Sequence, residues 1–275
     1  MSLAFCSFSS GSSGNCYLVK TEKAAILIDA GISASRILKE LSRTDTPREE
    51  IKALFLTHEH HDHVTGARVL LKKLSLANVY ASQGTFEGTM RRDAHRRLSF
   101  ENEVSKGRRI VIAPDEPVAI GDITVYAFRT MHDAAEPYGY LVYSGGKRIA
   151  FLTDTGIVTE EMIGCIADAD VLVLESNHDT ELLRRGSYPW YLKQRILGSH
   201  GHLSNSQAAE VLLRVFDFSD KKRVVLLAHL SAENNTPAIA EQTVLTALAR
   251  KGRYTGSDLY MGVLLRDEAS LLYNL

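Results

Sequence analysis

The chain has 275 residues, 45% of them hydrophobic, with 32 Lys and Arg against 33 Asp and Glu and a net charge of −1. That size supports one large α/β unit or two modest ones with a sizeable core, and the balanced charge excludes a globally basic coat, so any basic surface is local. Cys6, Cys16 and Cys165 are odd in number and lack CxxC spacing, which argues against a disulfide framework, and neither a leader segment nor an apolar run of roughly 18 residues is present, so a soluble cytoplasmic protein with no membrane association is expected.

Strands are predicted over 3–7 and 15–20. The link Ser9-Ser10-Gly11-Ser12-Ser13-Gly14 is too long for a two-residue turn. Its small residues either let backbone N–H groups approach an anion or simply form a flexible hairpin loop. A third strand over 25–28 ends in Asp29-Ala30-Gly31. Asp29 reads as the cap of a helix over Ser33–Ser42 or as a carboxylate that orients a metal-bound histidine from behind.

The strand over 53–56 then runs into Thr57-His58-Glu59-His60-His61-Asp62-His63. Four imidazoles so close together are not explained by packing, because histidine rarely fills a core in clusters. In extended backbone His58 and His60 face one side. A turn into helix at Asp62 aims Asp62 and His63 at a second point nearby. Neutral imidazole and carboxylate are ligands of borderline divalent ions, so the spacing suggests two adjacent metal sites. A helix over 63–74 follows, with an apolar stripe from Val64 to Leu74.

Residues 85–109 are rich in base (Arg91, Arg92, His95, Arg96, Arg97, Lys106, Arg108, Arg109) and read either as a solvated helix face or as a local nucleic-acid contact. Strands over 110–113, 118–120 and 123–128 lead to His132, and a hairpin over 138–144 and 147–152 leads to Asp154. A helix over 159–166 and a strand over 171–174 precede Glu175-Ser176-Asn177-His178-Asp179. Within 182–198, Arg184, Arg185, Lys193 and Arg195 alternate with Tyr188, Trp190 and Tyr191. That mixture suits a polynucleotide, rings stacking on bases while cations meet phosphates; an amphipathic helix with its aromatics in the core is the alternative. A helix over Ser206–Phe216, a strand over 224–227 ending near His229, a helix over 237–251 and strands over 259–265 and 270–273 close the chain. Asp29, His58, His132, Asp154, Glu175 and His229 each follow a short apolar strand. Ligands gather at such strand ends in layered α/β folds, which implies two mixed sheets covered by helices, in two pseudo-equivalent halves.

The run His58-x-His60-x-Asp62-His63, followed in order by His132, Asp154 and His229, resembles the metallo-β-lactamase superfamily. Five segments are similar to its bacterial YycJ/WalJ branch, a group proposed to be DNA exonucleases: Ser9–Val19, His132–Tyr140, Glu175–Asp179, Ser199–Asn205 and His229–Pro237. The resemblance implies an α/β fold, a four-layer αβ/βα sandwich of two mixed sheets flanked by helices, as a single domain over 1–275. It also implies two divalent metal ions, with zinc favoured by the nitrogen-rich ligands and manganese or iron as alternatives. His58, His60 and His132 would hold the first ion, Asp62, His63 and His229 the second, and Asp154 would bridge them. Two such cations about 3.5–4 Å apart can share a hydroxide and clamp a phosphodiester, which counts Asp62 among the catalytic groups.

The Gly201-His202-Leu203-Ser204-Asn205 segment resembles the Gly-His-Ser-Thr element of tRNA-3′-processing ribonucleases, which implies His202 as general acid oriented by Glu175. The alternative is a structural His202 beside a helix capped by Ser204. Expected substrate contacts are Ser13, Asn15, Asn177, Arg184, Trp190, Ser231 and Asn234. One departure from the branch is His61, where a small residue is usual. The expected activity is a metal-dependent phosphodiesterase, an exonuclease on DNA; a thioesterase or lactonase of the same fold and an RNA-directed nuclease are the competing readings. A chain of this length leaves no room for the β-CASP insertion of larger RNA-processing relatives.

Overall fold

The structure is a computed structural model and describes residues 3–94, 106–114 and 116–275. In the first half, strands β1 (Ala4–Ser9), β2 (Cys16–Lys20) and β3 (Ala25–Ile28) precede helix α1 (Ala34–Arg43) and strand β4 (Ile51–Phe55). Helices α2 (His61–Val64) and α3 (Ala67–Lys73), strand β5 (Asn78–Ala81), helix α4 (Gln83–Ala94) and strand β6 (Arg109–Val111) follow. The second half runs through β7 (Val118–Ile120), β8 (Ile123–Arg129), β9 (Tyr138–Ser144), β10 (Lys147–Leu152), α5 (Glu160–Ile166) and β11 (Val171–Glu175). It continues with α6 (Thr180–Arg185), α7 (Trp190–Leu197), α8 (Asn205–Phe218), β12 (Arg223–Ala228), α9 (Pro237–Ala249) and β13 (Leu259–Val263), and β14 (Tyr273–Asn274) returns to the first sheet.

Each sheet has seven strands, ordered β14-β1-β2-β3-β4-β5-β6 and β13-β12-β11-β10-β9-β8-β7. Strands β3 to β6 pair in parallel, as do β10 to β13, while the remaining pairs are antiparallel. Parallel strands read as continuous apolar runs because both faces are covered. Here one face of each sheet meets the other sheet through Phe5, Tyr17, Phe55, Tyr140 and Phe151. The outer faces carry helices: Ile37, Leu41, Leu70 and Leu71 on one side, Ile163, Leu212, Val215 and Val244 on the other. Each such fully buried side chain contributes about 1.5–3 kcal/mol of transfer free energy.

Two cross-sheet bonds lie just before the histidine run. The Tyr140 hydroxyl donates to the Leu56 carbonyl at 2.6 Å, and the Tyr138 amide donates to the Thr57 carbonyl at 2.9 Å. They lock the carboxyl end of β4 to the opposite sheet, which fixes where His58 begins.

Most predicted elements coincide with observed ones, and two differ for identifiable reasons. The helix expected over 63–74 is two helices, interrupted at Gly66, whose amide donates to the Ala30 carbonyl at 2.8 Å. A Cβ there would lie 1.9 Å from the Ile32 carbonyl oxygen, so only glycine allows this approach. The basic-aromatic segment is likewise two helices, α6 and α7, parted at Gly186–Pro189. Strand β5, too short and mixed to be legible, was not expected. Of the basic run at 85–109, His95, Arg96 and Arg97 lie outside the described residues. Arg108 donates to the carbonyls of Leu71, Leu74 and Ala77, so it closes the end of α3.

Candidate metal centre

The site forms where the carboxyl ends of parallel strands from the two sheets face each other. β3 delivers Asp29, β4 delivers His58, β10 delivers Asp154, and β11 and β12 deliver Glu175 and His229. Asp29, Asp154 and His229 have φ of 58°, 57° and 57°, the left-handed region that side chains other than glycine seldom adopt. One backbone device thus turns three chain segments sharply off their strands, and such strain collects at functional sites.

His58, His60 and His132 bring their donor atoms within 4.8 Å of one another, as do Asp62, His63 and His229. Asp154 lies between these groups: its carboxylate is 3.4 Å from His63 Nε2 and 3.9 Å from His132 Nε2. The imidazoles are held from behind. His63 Nδ1 meets Asp29 Oδ2 at 2.7 Å, His132 Nδ1 meets the Gly201 carbonyl at 3.0 Å, and His229 Nδ1 meets Glu175 Oε1 at 2.9 Å. Each bond leaves Nε2 to face the cluster, the arrangement that orients metal-ligating histidines. Asp29 is therefore not the helix cap: Ser33 caps α1, its hydroxyl accepting from the Arg36 amide.

The donor set fits divalent cations. Among the described residues, His58 Nε2 and Asp154 Oδ2 are buried without a hydrogen-bond partner, and an unsatisfied buried polar atom costs about 1–3 kcal/mol. Burial, reinforced by the neighbouring His63, His132 and His60, holds His58 well below the ordinary histidine range, so it is a neutral donor. Burial would also depress His229, but Asp154 and the bonds to Asp62 and Glu175 push it up to about 10. Asp154 is held below the usual carboxylate range, burial being outweighed by His229 and His63. The described residues thus hold anionic carboxylates and inward-facing imidazole nitrogens together in a buried cluster.

Glu175 and His202 adjoin this cluster. His202 Nδ1 meets Glu175 Oε1 at 2.8 Å, while Glu175 Oε2 accepts from the amides of Thr155 and Leu203, each at 3.1 Å. Ser204 caps α8, with a full capping box to Gln207, and His202 opens into a cleft of about 160 Å³. His61 points away, its Nδ1 bonded to Thr65 Oγ1 at 2.9 Å.

Of the expected substrate contacts, Asn177 and Ser231 line this cleft. Ser12 lines it where Ser13 was expected. Asn15 and Asn234 are buried loop builders: Asn15 bonds the backbone of Gly11 and Asp62 and reaches His63 Nε2 at 3.1 Å, and the Asn234 amide bonds Ser231 Oγ. Arg184 and Trp190 are exposed on α6 and α7, outside the cleft wall. Lys193 is buried, donating to the carbonyls of Arg184 and Gly186, so it does not face solvent. Arg195, one of the cations of the basic-aromatic segment, does line the cleft, and it pairs with Asp133, a cleft residue to which the sequence assigned no role. Their spacing of 62 positions left no local signal.

A profile of the β-lactamase superfamily domain matches residues 24–230. The exodeoxyribonuclease WalJ of Streptococcus pneumoniae is 37% identical over 249 residues, 90% of this chain and 89% of that protein. The exodeoxyribonuclease YycJ of Bacillus anthracis is 36% identical over 252 residues, 92% and 91% of the two chains. The metallo-β-lactamase fold protein YhfI from Bacillus subtilis superposes with a TM-score of 0.71 over the whole of both chains at 16% identity, a likeness of fold. The chain belongs to the metallo-β-lactamase superfamily of metal-dependent hydrolases and, within it, to the WalJ/YycJ branch.

Proposed function

We propose that the protein is a phosphodiesterase that holds two divalent ions and removes nucleotides from DNA ends. The observation that carries this reading is the position of Asp154 between His58-His60-His132 and Asp62-His63-His229, with His202 at the mouth of the adjoining cleft. The two groups would each hold one ion and Asp154 both, with zinc favoured by the imidazoles and manganese compatible with the carboxylates. When bound, such ions supply Lewis acidity and an acidified water at neutral pH.

The chain's own residues supply the rest. Glu175 engages Nδ1 of His202, which leaves Nε2 as the atom that gives a proton to the leaving oxygen. Gly201, through its carbonyl, sets the His132 ring. Asn177 and Ser231 form the polar wall of the cleft against the apolar Leu192 and Ile196. Such a cleft suits a sugar-phosphate better than a long acyl chain. DNA as substrate is supported by relatives named exodeoxyribonucleases that share nine-tenths of the chain.

Metal-supplemented protein assayed on end-labelled single- and double-stranded DNA, RNA, a lactone and a thioester tests the proposal. Stepwise shortening of DNA from an end is expected. Hydrolysis of the lactone or thioester with intact DNA would replace this reading with a small-substrate hydrolase, and faster loss of RNA would replace the substrate.

A further inference from the structure

Helix α7 presents distinct faces. Leu192, Arg195 and Ile196, spaced i, i+3 and i+4, line the cleft beside His202. Lys193 on another face ties α7 to the end of α6. Trp190 and Tyr191 project into solvent, 66% and 72% exposed, although large aromatic rings on a helix ordinarily seek the core. Tyr191 stands one helical turn before Arg195, on the same side of the helix.

Arg195 is placed with care. Its Nε bonds Asp133 Oδ2, and the other oxygen of Asp133 lies 3.3 Å from His132 Nε2. The guanidinium is thereby anchored beside the metal centre, yet its side chain remains 53% exposed. The anchor engages Nε, and a guanidinium carries further N–H donors on its terminal nitrogens, in a fork that matches phosphate. The cleft, at about 160 Å³, is too small to admit a duplex.

The geometry points to α7 as the guide for a single nucleic-acid strand: Arg195 takes the phosphate next to the scissile one, and Tyr191 stacks the base of the nucleotide that leaves the cleft. This rests on the DNA reading above. Stacking on an exposed ring requires an unpaired base, so the occupant is a single-stranded end, whether free or peeled from a duplex. Arg184 and Arg185 extend the positive surface along α6, partly offset by Glu181, which pairs with both.

Fluorescence anisotropy with the metal-loaded protein and a phosphorothioate-linked single-stranded oligonucleotide, which resists cleavage, tests this across a range of salt. Tyr191→Ala should weaken binding about tenfold with the salt slope unchanged. Arg195→Ala should weaken it by a similar factor and lower the slope of log K against log salt by roughly 0.7, the value for one phosphate contact on a single strand. Arg195→Lys should restore the slope, and metal content should stay the same in all three. If the parent protein binds the oligonucleotide and the Tyr191→Ala and Arg195→Ala variants bind it with the same affinity and slope, α7 is not the guide while the nuclease reading stands. If the parent binds neither single- nor double-stranded DNA, that reading fails and this inference with it.

Discussion

One carboxylate oxygen, Glu175 Oε1, receives the Nδ1 atoms of two histidines, His202 at 2.8 Å and His229 at 2.9 Å. Its partner Oε2 accepts two backbone amides. Burial opposes ionisation of Glu175, but His202 and His229 outweigh it and hold the group below the usual carboxylate range. The acid candidate and a metal-ligand candidate therefore share one orienting group, which under the proposed roles would couple proton transfer to metal binding. Glu175→Gln places an NH₂ against donors whichever way the amide turns, which costs about 1–3 kcal/mol. We expect it to lower metal affinity by about 10–100-fold as well as turnover. Metal titration beside kinetics checks this; a turnover loss with metal affinity intact would mean that the His229 bond is dispensable.

Asp154 combines a left-handed backbone with the position between the two groups. Asp154→Ala and Asp154→Gly both remove the carboxylate and should abolish hydrolysis and loosen metal alike. They should differ in stability. Alanine at that φ costs about 1–2 kcal/mol that glycine does not, so urea unfolding should rank the glycine variant as the more stable. The reverse ranking would show that the backbone there is not strained.

His178 is buried, and neither ring nitrogen has a hydrogen-bond partner among the described residues. Burial lowers its pKa from the ordinary 6.5 to about 4. Above pH 6.5 folded and unfolded chains both carry it neutral, and its contribution is fully present. As pH falls from 6.5 to about 4 the unfolded chain takes up the proton first, so stability declines by about 3 kcal/mol over that window from this group. His178→Leu should flatten that part of the pH profile and change stability at pH 7 by less than about 1 kcal/mol. A large loss at pH 7 would reveal a bond from the ring to buried water.

An alkoxide leaves a phosphodiester poorly unless protonated, and general-acid help is typically about 10²–10⁴-fold. His202→Ala should lower turnover on DNA by that factor with metal content unchanged, since among the described residues its ring hydrogen-bonds Glu175 and none of the seven candidate ligands. The loss should nearly vanish on an ester of an acidic phenol, which departs without a proton. Equal losses on both substrates, or loss of metal, would make His202 a ligand or a structural residue.

Local pattern carried much of this protein into view. The strands that lead to Asp29, His58, Asp154, Glu175 and His229 are short apolar runs stopped by a polar residue, and in the structure each of these residues stands at or just beyond the carboxyl end of its strand. What stayed hidden was decided between distant segments. The break at Gly66 exists because the Ile32 carbonyl occupies the space of a side chain. The pairing of Asp133 with Arg195 and the double bond-partnership of Glu175 depend on loops from separate strands meeting. Trp190 and Arg184 stood out by type, whereas the cleft is built from their neighbours Leu192, Arg195 and Ile196, because helical phase and not composition selects the face.

The claim that a two-ion centre drives hydrolysis is tested most directly by adding zinc or manganese to chelator-stripped protein while bound metal per chain and release of nucleotides from DNA are measured together. Activity should stay near zero through the first equivalent and rise with the second, and the Asp154→Ala variant should show neither the second tight site nor the rise. Full turnover with a single ion per chain, or in the chelator-stripped protein, would contradict the account.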